Sequence, residues 1–388
     1  MPSTAKGTGA CSLSAIQKYK IISASFARGK DAGQYQAHLP SPSERRRADS
    51  LQDAPYDLLS SQICRQRGGG PDLPDTVLYL AYGSNLCAET FQGKRGIRPL
   101  SQVSVVVPEL VMTFDLAGLP YVEPCFANTK YRTTEPSPLP SEKTSLLSAP
   151  PPEYHKNRWK KGLVGVVYEV TKEDFAHIIA TEGGGASYQD VLVQCYEIPQ
   201  NQATVPEHPT SDPFKAHTLY SPISPPGENP PPQEGGRFSR PDPDYAQPSA
   251  RYLKLTHDGA DEHALPEEYK TYLHQLRAYT VTTRKQEIGR AIFMMVWLPL
   301  ITMVFGLNRR FADEDGRAPS WLVAVTGAVF KGMWMSYDGV FYGVFGDGER
   351  TVCGDGDGDG DGDGDVERRS LIRGWGGDEK VDDLHQVV

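Results

Sequence analysis

Four stretches of this chain are poorly suited to a packed core, and they limit what the remainder can build. Residues 133–152, 199–213 and 221–248 are rich in proline and polar residues, and Gly354 to Asp365 alternates glycine with aspartate. Such tracts bury too little apolar surface to offset the entropy of ordering them. With 38 glycines and 32 prolines in 388 residues, the part that packs is expected to be one globular domain of about 200 residues, interrupted by insertions. The expected division is an extension over 1–74 and a domain over 75–280 with insertions at 133–160, 199–213 and 221–248. An apolar segment at 288–308 and a low-complexity tail over 309–388 complete it.

The extension is polar, with a basic run at Arg45, Arg46 and Arg47. It is read as disordered in preference to an organelle transit segment. No long apolar stretch follows the first basic residues, so a secretory signal is not expected. Cys11, Cys64, Cys87, Cys125, Cys195 and Cys353 form no C-x-x-C pair, which disfavours zinc ribbons and thioredoxin motifs and fits a reducing, intracellular setting. The net charge of −9 argues against a broad nucleic-acid surface.

Order is expected to begin at Thr76. Val77 to Tyr82 is an apolar run between Pro74 and Gly83 and reads as a buried strand, with Ser84-Asn85 offering N-cap chemistry to a helix from Leu86 to Phe91. Strand signals follow between Val103 and Phe114 and, more weakly, between Cys125 and Tyr131. Leu163 to Val170 is a β-branched strand, and Thr171 an N-cap for a helix from Lys172 to about Ala180. Phe175, Ile178 and Ile179 give that helix one apolar face, and Gly183-Gly184-Gly185 stops it. Further strands are predicted over Tyr188–Ile198 and Lys215–Tyr220, and helices from Ser249 to about Asp261 and from Pro266 to Leu276. No regular βαβ alternation appears. The predicted class is therefore α+β, a mixed or barrel-like sheet with flanking helices.

Ala291 to Leu307 contains no charged residue and is flanked by Arg290, Arg309 and Arg310. At 1.5 Å per residue it reaches roughly 25 Å as a helix, near the lower limit for a bilayer. Pro299 at its centre is better tolerated in a membrane helix than in a soluble one. A transmembrane anchor is expected at 291–307. Residues 321 to 345 are interrupted by Lys331 and Asp338, and no second span is expected. The Gly-Asp tail lacks an EF-hand pattern: with Asp355 first, Gly362 takes the eighth position and Val366 the twelfth. It reads as self-repelling coil.

Two places can carry chemistry. A strand ending in Tyr82-Gly83-Ser84-Asn85 presents backbone N–H groups that could cradle a carboxylate or an oxyanion. Glu182 ends an amphipathic helix, where the negative end of the dipole and partial burial would raise a carboxyl pKa toward proton transfer near neutrality. Ser84 lacks a G-x-S-x-G setting and reads poorly as a nucleophile. His257 and His263, six apart on helical sequence, are expected to face solvent.

Together these segments resemble the γ-glutamylcyclotransferases. Leu78-Tyr79-Leu80-Ala81 followed by Tyr82-Gly83-Ser84-Asn85-Leu86 is similar to the signature loop of that family. Gly165 to Tyr168, followed by a helix ending Glu182-Gly183, resembles its catalytic segment, and Tyr188 sits where the family has a tyrosine. Pro248-Ser249-Ala250-Arg251-Tyr252, Gly259-Ala260, Glu262-His263, Leu265-Pro266 and Tyr269 resemble its closing helices. The resemblance covers residues 76 to 280. It implies a small mixed β-barrel with helices around it, a γ-glutamyl group held by Tyr79, Leu80, Ala81, Tyr82, Gly83 and Ser84, and Glu182 as general acid/base. Tyr252 would contact the ligand and Tyr188 would line the same cavity, with no metal or organic cofactor required. Phe126, Asn128 and Thr129 stand where the family tends toward glycine and small residues, which bears on substrate identity.

The expected reaction closes a γ-glutamyl amino acid to 5-oxoproline and releases the amine. Action on glutathione and an inactive, membrane-tethered γ-glutamyl-binding module are the alternatives. The expected setting is intracellular, with the domain facing the cytoplasm.

Overall fold

The computed structural model describes residues 39–56, 76–132, 156, 158–181, 188–200, 202–221, 240–311 and 318–351. Five strands close into a barrel in the order β1 (Thr76–Ala81), β5 (Leu163–Thr171), β2 (Ser101–Val107), β6 (Gln189–Glu197) and β7 (Phe214–Tyr220). β5 lies antiparallel between β1 and β2, with Ala81 facing Val166 and Val107 facing Leu163. β7 closes the ring through a parallel bridge from His217 to Tyr79. β3 (Leu110–Leu119) and β4 (Glu123–Tyr131) form a separate ribbon, with a bulge between Thr113 and Leu116. The strand signals between Val103 and Phe114 thus divide between β2 and β3, which part at Pro108.

β1 and β5 are apolar without alternation because both of their faces are covered. Val77 to Ala81 are all buried, as are Leu163 to Tyr168. α2 (Lys172–Thr181) lies over β1 and β5. Thr171 Oγ1 accepts from Asp174 N at 3.1 Å, and Phe175, Ile178 and Ile179 are fully buried, so the predicted cap and apolar face are both present. α3 (Ala250–Glu262) starts at Ser249, whose Oγ accepts from Tyr252 N at 3.0 Å. α4 (Glu267–His274) follows it.

Several expectations need correction. Leu86 to Phe91 is not an α-helix. Ser84–Leu86 is a 3-10 turn and Glu89–Lys94 a π-turn, because Ala88 N donates to Glu262 Oε2 at 2.7 Å instead of to a preceding turn. The extension is not structureless throughout 1–74. Ser43 caps α1 (Glu44–Ser50), and Arg46, the middle of the basic run, is buried, donating to Thr76 O at 3.0 Å and to Asp53 at 3.2 Å. A solvated charge run and one with a single buried member look alike in sequence. Within the 199–213 insertion, Val205 is buried and its N–H donates to Glu268 at 2.8 Å. The Gly-Asp repeat lies outside the described residues.

The largest correction lies beyond residue 283. α5 (Arg284–Phe311) turns back into α6 (Ser320–Ser336), which runs through a π-turn (Tyr337–Phe341) into α7 (Tyr342–Phe345). Residues 320–345 therefore form helix where a low-complexity tail was expected. Phe293, Trp297 and Ile301, spaced four apart, make one stripe that packs with Met333, Trp334 and Tyr337. The remaining arc of α5, including Ile288, Ile292, Met295, Val296, Met303 and Phe305, is exposed. After α7 the chain returns to the ribbon, where Tyr121 N donates to Gly348 O at 2.7 Å. Arg240, from the proline-rich 221–248 insertion, is buried beneath it. Its guanidinium holds Asp338 at 2.7 Å and Glu349 at 2.9 Å and lies 4.1 Å over the Trp334 ring.

Candidate active site

The turn that leaves β1 is held from every side. Tyr79, within β1, packs against Phe91 and Phe175, with ring centroids 6.1 Å away in each case. Its hydroxyl accepts from Asn85 Nδ2 at 3.0 Å, tying the turn back to its own strand. Leu80 and Ala81 are buried, and Leu80 O accepts from Thr218 Oγ1 at 3.1 Å. Tyr82, Gly83 and Ser84 are partly exposed. Tyr82 Oη donates to Leu219 O at 3.2 Å.

Backbone bonding in the turn is one-sided. Gly83 O accepts from Leu86 N at 3.0 Å and Ser84 O from Cys87 N at 3.3 Å. The N–H groups of Gly83 and Ser84 meet no acceptor among the described residues. Two donors at the mouth of a turn make the kind of cradle that binds an anion or a developing oxyanion. Tyr252 reaches them from α3: a Cβ on residue 83 would stand 2.9 Å from Tyr252 Oη, so glycine is needed for that approach. The same hydroxyl accepts from Ala127 N at 3.2 Å, and the Tyr252 ring meets Phe126 edge-on at 5.3 Å. Tyr79 to Ser84 and Tyr252 are thus brought together. Phe126 lines the same neighbourhood.

Tyr188 stands one residue before Gln189, which faces Tyr220 across the ladder. It packs against the main core, at the barrel end that also carries Tyr82 and Leu219. α2 leaves β5 at Thr171, passes Tyr79 at Phe175 and ends at Thr181, whose Oγ1 accepts from Arg95 Nη1. Glu182 and Gly183 to Gly185 lie outside the described residues.

The two histidines expected to face solvent do not. His257 bonds Leu273 O at 3.0 Å. His263 Nε2 lies 2.7 Å from Tyr168 Oη and 3.0 Å from Leu86 O. A carbonyl can only accept, so the ring presents its N–H at Nε2. Burial drives the His263 pKa down to about 4, leaving it neutral at ordinary pH. Glu262 is exposed as a residue, yet partial desolvation of its carboxyl raises the pKa, assisted by Asp258 and Glu89 and opposed by the Ala88 N–H. Sequence had placed Glu262 and His263 in a motif without assigning them a role. Their signal is the spacing Gly259, Glu262, His263 on the last turn of a helix, one side of which must lie against backbone.

Comparison with known proteins bears on this arrangement. Residues 283–344 match the AclK C-terminal domain, a segment that coincides with the α5–α6 hairpin. The chain is 29% identical over 276 residues to the gamma-glutamyl cyclotransferase gliK of Aspergillus fumigatus, covering 70% of this chain and 89% of that protein. It is 29% identical over 287 residues to the gamma-glutamyl cyclotransferase aclK of Aspergillus oryzae, covering 72% and 92%. With the gamma-glutamyl cyclotransferase verK of Clonostachys rogersoniana it shares 33% identity over 150 residues, 38% of this chain and 74% of that protein. Among solved structures, one titled gamma-glutamyl cyclotransferase aligns with a TM-score of 0.34 at 16% identity, covering 55% of this chain and 96% of the other.

Proposed function

The chain belongs to the γ-glutamyl cyclotransferase family, and from that premise we propose that it converts a γ-glutamyl amino acid to 5-oxoproline and the free amine. The observation that carries this reading is the pair of N–H groups at Gly83 and Ser84, beside the Tyr252 hydroxyl, that meet no acceptor among the described residues. The substrate's α-amine loses a proton and attacks its own δ-carbonyl. The tetrahedral oxyanion takes hydrogen bonds from the turn, and the γ-amide C–N bond breaks as the departing nitrogen gains a proton. Because nucleophile and electrophile belong to one molecule, holding the glutamyl chain bent supplies much of the acceleration. Tyr79 to Ser84 form the binding turn, and Tyr252 and Tyr188 wall the glutamyl moiety.

Glu182 is assigned the proton transfers, taking one from the ammonium and delivering one to the leaving amine. It directly follows Thr181, and Thr181 contacts Arg95, just beyond the π-turn that leads from the binding turn. Glu182→Gln should leave the thermal unfolding curve unchanged and lower 5-oxoproline release by about 10²- to 10⁴-fold. A folded variant with wild-type turnover would refute the role.

The second part of the proposal concerns location. Arg284–Asn308 is long and apolar enough to cross a bilayer, and most of its apolar surface is uncovered. The reading is a membrane anchor through 291–307 with the catalytic barrel on the cytoplasmic side. The full-length protein should stay with membranes through alkaline carbonate washing and leave them only in detergent. Release by salt alone would end this part and leave the enzymatic part intact.

A further inference from the structure

We propose that Glu262 and His263 are positioning residues that clamp the chain just past the binding turn and so fix the direction of the Ser84 N–H group. The inference rests on the reading of that turn as the oxyanion cradle.

Three successive residues are gripped by the last turn of α3. Leu86 presents its carbonyl oxygen to His263 Nε2 at 3.0 Å, and the same imidazole is braced at 2.7 Å by Tyr168 from β5. Cys87 places its Sγ 3.9 Å from Glu262 Oε1. Ala88 donates its N–H to Glu262 Oε2 at 2.7 Å. Gly259 lets α3 approach this closely, since a Cβ there would stand 2.5 Å from Leu86 Cβ and 2.7 Å from Cys87 N.

The grip acts where the local structure is weakest. A three-residue 3-10 turn has poor hydrogen-bond geometry, and the π-turn beyond it leaves Ala88 N without a helical acceptor. Glu262 supplies that acceptor. Leu86 N and Cys87 N in turn bond the carbonyls of Gly83 and Ser84. Each trans peptide joins the carbonyl of one residue to the N–H of the next, so fixing residues 86–88 fixes the Gly83–Ser84 plane and with it the Ser84 N–H.

An oxyanion donor acts mainly in the transition state, so a loosened cradle lowers kcat more than it raises KM. Neither residue touches the reacting atoms in this reading. The side-chain oxygen at 262 serves as an acceptor, so Glu262→Gln can replace it and Glu262→Ala cannot.

The test uses full-length wild type, Glu262→Ala, Glu262→Gln and His263→Ala. kcat and KM are measured for γ-glutamyl-alanine, and amide hydrogen exchange is measured over 82–88. For Glu262→Ala and His263→Ala, kcat should fall about 10-fold with KM within about twofold, and exchange over 82–88 should quicken about 10-fold. Glu262→Gln should recover most of both. Folded Ala variants with wild-type kcat and wild-type exchange would overturn the clamp. Equal damage from Gln and Ala at 262 would overturn the acceptor role. If wild type releases no 5-oxoproline, the enzymatic reading falls, while the exchange comparison still decides whether residues 86–88 are clamped.

Discussion

The barrel and the α5–α6 hairpin are built from equally apolar sequence and treat it in opposite ways. In the barrel, Val77 to Ala81 and Leu163 to Tyr168 are covered on both faces, by the opposite wall and by α2, the π-turn or α3. In the hairpin, one stripe at Phe293, Trp297 and Ile301 is covered, and most of the circumference is Ile, Met, Val, Leu and Phe facing outward. A helix in water normally places polar residues on that arc. Hydrophobicity therefore marks a core in one region and an uncovered surface in the other. The two regions meet at Tyr121, which packs on Phe293 and Tyr337, and at a small set of buried charges around Arg240.

The largest effect should come from the joint itself. Arg240 is the buried cation between Asp338 and Glu349. Removing one partner of a buried ionic group leaves uncompensated charge, at a cost of about 3–5 kcal/mol. Arg240→Met should therefore lower the denaturation midpoint sharply and expose the ribbon–hairpin contact to proteolysis. If the midpoint barely moves, the hairpin is held by its apolar stripe alone.

Matched glycine substitutions sharpen the contrast. A Cβ at Gly259 would enter the backbone of Leu86 and Cys87, whereas one at Gly306 meets nothing within 4 Å. Gly259→Ala should cost about 1–3 kcal/mol through overpacking. Gly306→Ala should be neutral or stabilising by up to about 1 kcal/mol, because alanine is the better helix former. Equal responses in chemical denaturation would show that the two regions are packed alike.

Sequence alone disclosed the parts governed by local pattern. β1 was legible as an apolar run bounded by Pro74 and Gly83, β5 as a β-branched run, and α2 by its Thr171 cap and the spacing of Phe175, Ile178 and Ile179. The turn after β1 was legible from Gly83, but the N-cap expected from Ser84-Asn85 does not form: Asn85 donates to Tyr79 instead. What escaped was set by distant partners. Arg46 is buried by Thr76 and Asp53, Arg240 by Asp338 and Glu349, and His263 by Tyr168, ninety-five residues away. A proline-rich insertion gives no local sign that one of its arginines will be enclosed. Lys331 likewise obscured α6, because a helix paired along one stripe can carry a charge on another face. Lys331 is exposed on α6, and Asp338, in the π-turn beyond it, is paired with Arg240.

The smallest expected effect distinguishes the barrel from the hairpin by protons. His263 is held neutral by burial, with its pKa lowered from 6.5 to about 4. Between those values the unfolded chain binds the proton and the folded chain does not, so stability rises with pH across the window. The contribution is complete above about pH 6.5 and is lost as pH falls toward 4. Moving from pH 7 to pH 5.5 should cost about 1 kcal/mol through this group. In His263→Gln the slope of the unfolding free energy between pH 7 and 5.5 should flatten by that amount. His257, also lowered by burial, supplies a weaker slope of the same sign that remains in the variant. No histidine lies in α5 or α6, so substitutions on their outward faces should leave the slope untouched. An unchanged slope in His263→Gln would mean that its imidazole reaches water, and the contact from α3 to Leu86 would then be open in solution.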